Sequence, residues 1–165
     1  LKMSEQFTFF WNGPFSQRFG SPFVVDGVKY NCAEQYMMAE KARLFKDKAA
    51  EKAIMKSKSP SDQKFLGRKV KNFNVDQWNS VAKHVVYKAN MAKFTQDAEL
   101  MQIILDTEGT TIVEASPYDK IWGIGLASDD KRAQSRSTWQ GKNWLGEVLT
   151  SVREQIRRDQ DSIRT

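Results

Sequence analysis

The chain has 165 residues, 40% hydrophobic and 12% aromatic, which suits one compact domain with a real core and excludes a disordered polymer. Its net charge of +6 is uneven: between Lys41 and Lys93 there are fourteen Lys/Arg and four Asp/Glu, a balance that favours anionic ligands such as phosphates, nucleotides or nucleic acid, or else serves as solvated helix faces. One cysteine, Cys32, and one histidine, His84, exclude an intrachain disulfide and a His/Cys zinc site, and no apolar run approaches the roughly 18 residues of a membrane span.

In chain order, Gln6–Trp11 reads as a strand followed by the turn Asn12-Gly13-Pro14. Phe23–Val25 and Val28–Tyr30 flank Asp26-Gly27, a strong hairpin signal. Asn31 is placed to cap a helix over Ala33–Phe45, with Glu34 at the acidic position of a capping box. A second helix spans Asp47–Lys56 and is broken by Ser59-Pro60. A short one covers Ser61–Lys69. Asp76 is placed to cap a long helix over Gln77–Phe94, whose Trp78, Val81, Val85 and Ala92 recur near helical spacing. Asp97–Leu105 reads as a helix, Thr111–Val113 as a strand, Gly125–Gly141 as a polar loop and Asn143–Arg158 as the last helix, with a frayed basic tail. The expected class is α+β: a single, mostly helical domain over residues 1–165, its core at about 9–156, with short strands at both ends. There is no repeat, no Walker A sequence and no Gly-rich phosphate loop after a strand.

Several residues are candidates for chemistry. Glu34 and Lys41 stand nearly two turns apart, so both lie on about the same helix face with Met38 between them. Either pairing of roles is open: cap and surface lysine, or two groups converging on a ligand. Asp119 and Trp122 lie three residues apart in Pro117-Tyr-Asp-Lys-Ile-Trp-Gly123, a segment broken by turn formers. Asp119 could form the turn, act as general acid/base or hold a ribose hydroxyl. Trp122 and Trp78 could stack a heterocycle or pack in the core. Asn143, after Gly141, could cap the last helix or contact a ligand near its free amides. Phe15 and Ser16 could line a pocket mouth, and Arg68 could clamp a phosphate. Cys32 and His84 read as structural.

These segments, in this order, resemble the YbiA/NADAR family of N-glycosidases. The resemblance rests on Gly13-Pro-Phe15-Ser16, Asp26–Tyr30, Ala33-Glu34-Gln-Tyr36 with Lys41-Ala42, Leu66-Gly67-Arg68, Trp78, Ala92-Lys93-Phe94, Val113–Asp119, Ile121-Trp122-Gly123 and Gly141-Lys-Asn143 with Leu145-Gly146. It covers about Phe9–Ile156. It implies an α+β domain that cleaves an N-glycosidic bond, with Lys41, Glu34 and Asp119 as catalytic candidates. Trp78, Trp122, Arg68, Ser16, Phe15, Gly123 and Asn143 become candidates for substrate binding. The implied substrates are ribosylaminopyrimidine phosphates of the early riboflavin pathway or ADP-ribosyl-guanine in nucleic acid. No cofactor, metal or membrane partner is implied, and the location expected is cytoplasmic. A non-catalytic reader of ADP-ribose, NAD-like ligands or modified nucleic acid is the alternative. The chain departs from some bacterial members in the longer polar stretch Ala127–Thr138.

Overall fold

A computed structural model describes residues 4–164. It shows the expected mixture of many helices with a few short strands, organised as two compact units: Gln17–Gln96, and the N-terminal segment to Ser16 together with Asp97 onward.

The Gln17–Gln96 unit begins with the antiparallel hairpin β1 (Phe23–Val25) and β2 (Val28–Tyr30). Asp26 and Gly27 take φ of 50° and 78°, the left-handed pair that a two-residue hairpin turn demands. Four helices follow: α1 (Ala33–Leu44), α2 (Lys48–Lys56), α3 (Pro60–Gly67) and α4 (Val75–Thr95). Helix α1 is the hub and packs against the other three. Side-chain oxygens start the outer helices: Asp47 accepts from Ala50 N–H, Ser59 from Asp62 N–H with Pro60 in the first turn, and Asn74 from Gln77 N–H.

Three expectations are corrected in this unit. Asn74, not Asp76, caps the long helix. Asn31 does not cap α1 and forms no box with Glu34. The N-cap position is Cys32, without a side-chain bond, and it is Gln35 that reaches back to the Asn31 N–H at 2.8 Å. Gln63 ties Asn31 Oδ1 to α3 instead. The buried face of α4 is Trp78, Ala82, Val86, Ala89 and Lys93, one residue out of phase with the expected Val81, Val85 and Ala92. Lys93, counted above with the basic surface, is fully buried. Its Nζ lies 5.5 Å from the Phe19 ring centroid and 5.0 Å from that of Phe94.

In the other unit, β3 (Phe7–Phe10) and β4 (Thr111–Glu114) pair in parallel, Phe7 opposite Thr111 and Phe10 opposite Glu114. Helix α5 (Ala98–Leu105) starts at the Asp97 cap, and α6 (Trp144–Arg164) packs along β4. Helix α6 continues to Arg164, past the expected frayed tail. Bonds such as Gln155 to Asp159, one turn apart, run along its exposed side. Gly146 makes the packing on β4 possible, since a Cβ there would collide with the Ile112 carbonyl oxygen and the Asn143 amide. Two 3-10 turns, Lys131–Gln134 and Arg136–Thr138, give the polar loop a defined course. They bury Ala133 against Val113, Ile124 and Leu126, and Arg136 pairs with Glu5 and Glu147.

Two outcomes follow. Gly146→Ala is expected to lose about 1–3 kcal/mol of stability, because the obstructing atom is backbone and cannot turn aside; urea unfolding reads this. Burial brings the Lys93 ammonium down from 10.5 to about 7. Between those values the unfolded chain holds a proton that the folded chain lacks, so stability rises with pH across that window and the contribution is flat below it. Lys93→Met removes this slope, and unfolding curves at about pH 7.5 and 9.5 then differ less than in the parent chain.

Candidate active site

Within the Gln17–Gln96 unit, helix α1 presents Glu34, Met38 and Lys41 on one face, as their spacing predicts. The helix begins where Glu34 N–H donates to the Gln17 carbonyl at 2.9 Å. Glu34 itself is 6% exposed and free of the capping duty that would have explained it. Burial raises its carboxyl pKa. The nearby charges of Lys64, Arg18, Lys41 and Arg68 pull the other way without cancelling it. Lys41 is half-buried, and burial lowers its pKa; Glu34 opposes that shift and Arg68 reinforces it. The Lys41 ammonium sits 4.6 Å from the centroid of the Phe73 ring, which packs edge-on against Phe45 at 5.4 Å. The acid is thus held toward its protonated form and the lysine toward its neutral form, on one helix face. Arg68, at the end of α3, is exposed. Trp78 lies 6% exposed in the buried face of α4 and takes the core-packing alternative.

In the other unit, Asp119 forms a tight turn. Its Oδ1 accepts from Ile121 N–H at 2.9 Å and Trp122 N–H at 2.8 Å. Ser116 Oγ accepts in turn from the Tyr118 and Asp119 amides. Trp122 is half-buried and stands edge-on to Trp144 at 5.5 Å. Gly123 is buried, and a Cβ there would meet Glu114 Oε2 and the carbonyls of Glu114 and Asp119. Phe15 packs against Phe10 at 5.6 Å, and Ser16 closes the turn by donating its N–H to Gly13 O.

Asn143 requires a correction. It is fully buried at φ 53°, with Oδ1 accepting from Glu114 N–H and Nδ2 donating to Ile112 O. Both polar ends are spent pinning β4, so it is a structural post rather than a ligand contact or a side-chain cap. The amides at the start of α6 are also engaged. Lys142, Asn143, Trp144 and Leu145 donate to the carbonyls of Lys120, Gly123, Ile121 and Trp122, which removes the expected anion site there.

Four residues escaped the sequence reading. Phe73 was unremarkable in its loop, and Lys64 and Arg18 were two cations among many. Lys93 was misplaced, and the small residues of α4's buried face were the signal that could have placed it. Among the described residues no group of three His, Cys, Asp or Glu side chains is placed to hold a metal ion, and no helix is long and apolar enough to cross a membrane.

Comparison with known proteins bears on this arrangement. The NADAR domain family matches residues 3–157, across both units. The chain is 43% identical to the Caenorhabditis elegans protein irg-1 over 131 residues, 78% of this chain and 62% of irg-1. It is 46% identical to an N-glycosidase of Acanthamoeba polyphaga mimivirus over 128 residues, 78% of this chain and 75% of the viral protein. It is 33% identical to the N-glycosidase YbiA of Escherichia coli over 144 residues, 87% of this chain and 81% of YbiA. The NMR structure of Escherichia coli YbiA superposes with a TM-score of 0.78 at 30% identity, covering 96% of this chain and 89% of that one.

The Phe73 contact carries its own test. Phe73→Ala should readmit water around Lys41 and raise the lysine pKa toward its ordinary value. Reductive methylation with carbon-13 and NMR titration of the Lys41 methyl signals would follow the change; an unmoved or lowered midpoint would show that Phe73 does not desolvate this lysine.

Proposed function

The chain belongs to the NADAR family, several relatives in which are named N-glycosidases, and we propose that it hydrolyses the C1′–N bond between a ribosyl group and a nucleobase-like heterocycle. The observation that carries this reading is the Glu34–Lys41 face of α1, where burial pushes an acid and a base in opposite directions. A carboxyl group kept protonated can deliver its proton to a departing ring nitrogen, and a lysine kept neutral can attack C1′.

The reaction then runs in two stages. The Lys41 amine forms a bond to C1′ as the C1′–N bond breaks. The bonding pair leaves with the base, which takes the Glu34 proton. The nitrogen of Lys41 loses a proton, the C1′–O4′ bond opens with protonation of O4′, and a C1′ imine results. Water adds to that carbon and expels the lysine, leaving the free sugar. Electrostatic support of an oxocarbenium-like centre by the Glu34 carboxylate is the non-covalent variant of the same hydrolysis. For Asp119 we propose that the carboxylate meets ribose hydroxyls, and for Trp122 that its ring meets a planar base. The substrates in view are ADP-ribosyl-guanine in nucleic acid and the ribosylaminopyrimidine phosphates of the riboflavin pathway. The buried thiol of Cys32 supports a reducing, cytoplasmic setting.

Lys41→Ala, Glu34→Gln and Asp119→Asn should each lower turnover by about 10²-fold or more while leaving a folded domain. Asp119→Asn keeps the Oδ1 acceptor of the turn, so it isolates the charge from the fold. Release of free base from each substrate class, followed chromatographically, is the measurement. Normal turnover in a variant removes that residue from the mechanism. Borohydride with substrate should add a reduced sugar mass at Lys41, and Lys41→Arg should be inactive; an active Lys41→Arg enzyme excludes the imine. Tight binding of all these compounds without turnover would identify a reader instead.

A further inference from the structure

The ring over Lys41 is carried by a loop, and one carboxylate holds that loop. Phe73 lies between α3 and α4 and is 44% exposed. Its ring meets the Lys41 ammonium at 4.6 Å and the edge of Phe45 at 5.4 Å. A ring left nearly half in water gains only part of the stabilisation that full burial would give. Its place is therefore set largely by the backbone on either side of it.

Asp47 is where that backbone is tied down. It follows α1 in a Schellman-type ending: Lys46 takes φ 57°, its N–H donates to Arg43 O, and the Asp47 N–H donates to Ala42 O at 2.9 Å. The main chain of Asp47 is thus anchored to the residue after Lys41. Its side chain serves two further elements. Oδ1 accepts from Ala50 N–H at 3.0 Å and starts α2, while Oδ2 accepts from Lys71 N–H at 2.9 Å. The Lys71 bond is the first reason that the Asp47 carboxyl lies below its ordinary value, so this acceptor stays ionised at neutral pH. Around Lys71 the chain has little freedom. Val70 is buried, and Asn72 takes φ 63°, a left-handed conformation that asparagine tolerates better than most residues. Asn74 is committed to α4, accepting from Gln77 N–H at 2.9 Å. Phe73 sits between that left-handed residue and the helix cap, and its ring comes to rest over Lys41.

We propose that Asp47 is a positioning residue of the candidate site: its Oδ2 bond to Lys71, completed by the left-handed Asn72, holds the Phe73 ring against the Lys41 amine. The use of that amine in hydrolysis rests on the N-glycosidase reading; the positioning does not. Asp47 acts by geometry and not by charge. The charged groups that act on Lys41 are Glu34, on the same face of α1, and Arg68, at the end of α3. The two kinds of action have opposite signs. Removing a carboxylate near a lysine disfavours the cation, whereas releasing Phe73 readmits water and favours it.

Asp47→Asn isolates the bond, because asparagine caps a helix as well as aspartate does but its amide nitrogen cannot accept from the Lys71 N–H. With carbon-13 methylated lysines, the NMR titration midpoint of Lys41 should rise by about half a pH unit or more in Asp47→Asn. The double variant Asp47→Asn/Phe73→Ala should match Phe73→Ala alone, since both changes remove the same contact. Turnover of an N-riboside at neutral pH should fall about threefold, in step with the smaller neutral fraction of the amine, and recover as pH rises. Asn72→Ala penalises the left-handed residue and leaves the α2 cap alone. It should move the midpoint the same way, and it keeps the test decisive if Asp47→Asn fails to fold. A midpoint that stays or falls in the folded variant overturns the positioning role, as does an additive double variant. A raised midpoint with no base release from any N-riboside leaves the role standing and removes the N-glycosidase reading. Base release that Asp47→Asn leaves unchanged, with an unmoved midpoint, does the reverse.

Discussion

Met38 against Gly67 is the contact on which the chemistry proposed for the Gln17–Gln96 unit depends. It sets how deeply the face of α1 lies under α3, and so how far Glu34 and Lys41 are removed from water. Taking an ionised carboxylate out of water costs several kcal/mol unless charge or hydrogen bonds compensate. The unit supplies four cations near Glu34, and burial still prevails over them. The same burial acts in the opposite sense on Lys41. One packing constraint therefore prepares two groups at once, because desolvation penalises whichever form is charged. An open helix face would leave an ordinary ion pair with no proton to give and no lone pair to attack with.

The other unit uses its polar residues differently. Its motif Val113–Gly125 is rich in groups that suit ligand binding, yet most are consumed by the turn itself. Asp119 Oδ1 holds two amides, Ser116 holds two more, and Asn143 joins β4 to the start of α6. The first amides of α6 are closed by loop carbonyls. What this leaves is a loop with one Asp119 carboxylate oxygen and the half-buried Trp122 indole outside the turn's own bonds, its α6 amides already engaged. Charge follows the same division: outside Gln17–Gln96 the chain has ten Lys/Arg and thirteen Asp/Glu, so all the net positive charge belongs to the helical unit.

Much of this was legible in the sequence, where local rules decide the outcome. The Asp26-Gly27 hairpin, the Ser59-Pro60 break after α2 and the Glu34–Lys41 helix face all follow from neighbours in the chain. What was hidden depends on distant partners. Asn31 looks like a cap for α1, but Gln63 from α3 draws its side chain away. The phase of α4 was misread because its buried face is built from Ala82, Ala89, Asn90 and Lys93, while Val81 and Val85, which dominate a hydrophobicity count, are only half-buried. The parallel pairing of β3 with β4 joins segments about a hundred residues apart, and no local pattern announces it. Asn143 illustrates the same limit at the site. A polar residue after a glycine at a helix start reads as a cap or a ligand contact, and only the backbone of β4 shows it to be a post.

The two lysines of depressed pKa in one unit show how far electrostatics alone can go. Lys93 is brought down to about 7, so by proton affinity it is a fitting nucleophile. Yet it has no exposed surface and lies against the rings of Phe19 and Phe94, where an electrophilic carbon could reach it only if the core opened. Lys41 is half-buried, faces one aromatic ring and shares its helix face with an acid. A covalent mechanism needs a proton donor for the leaving base as well as a neutral amine, within reach of the same bond. Lys41 has that companion in Glu34. An ionisable group that acts on Lys93 is the thiol of Cys32, whose pKa burial raises and which donates to Gln63 at 3.1 Å. Access and a matched acid, rather than the depth of the pKa shift, favour Lys41 over Lys93 for the proposed hydrolysis and leave Lys93 as a cost of the core.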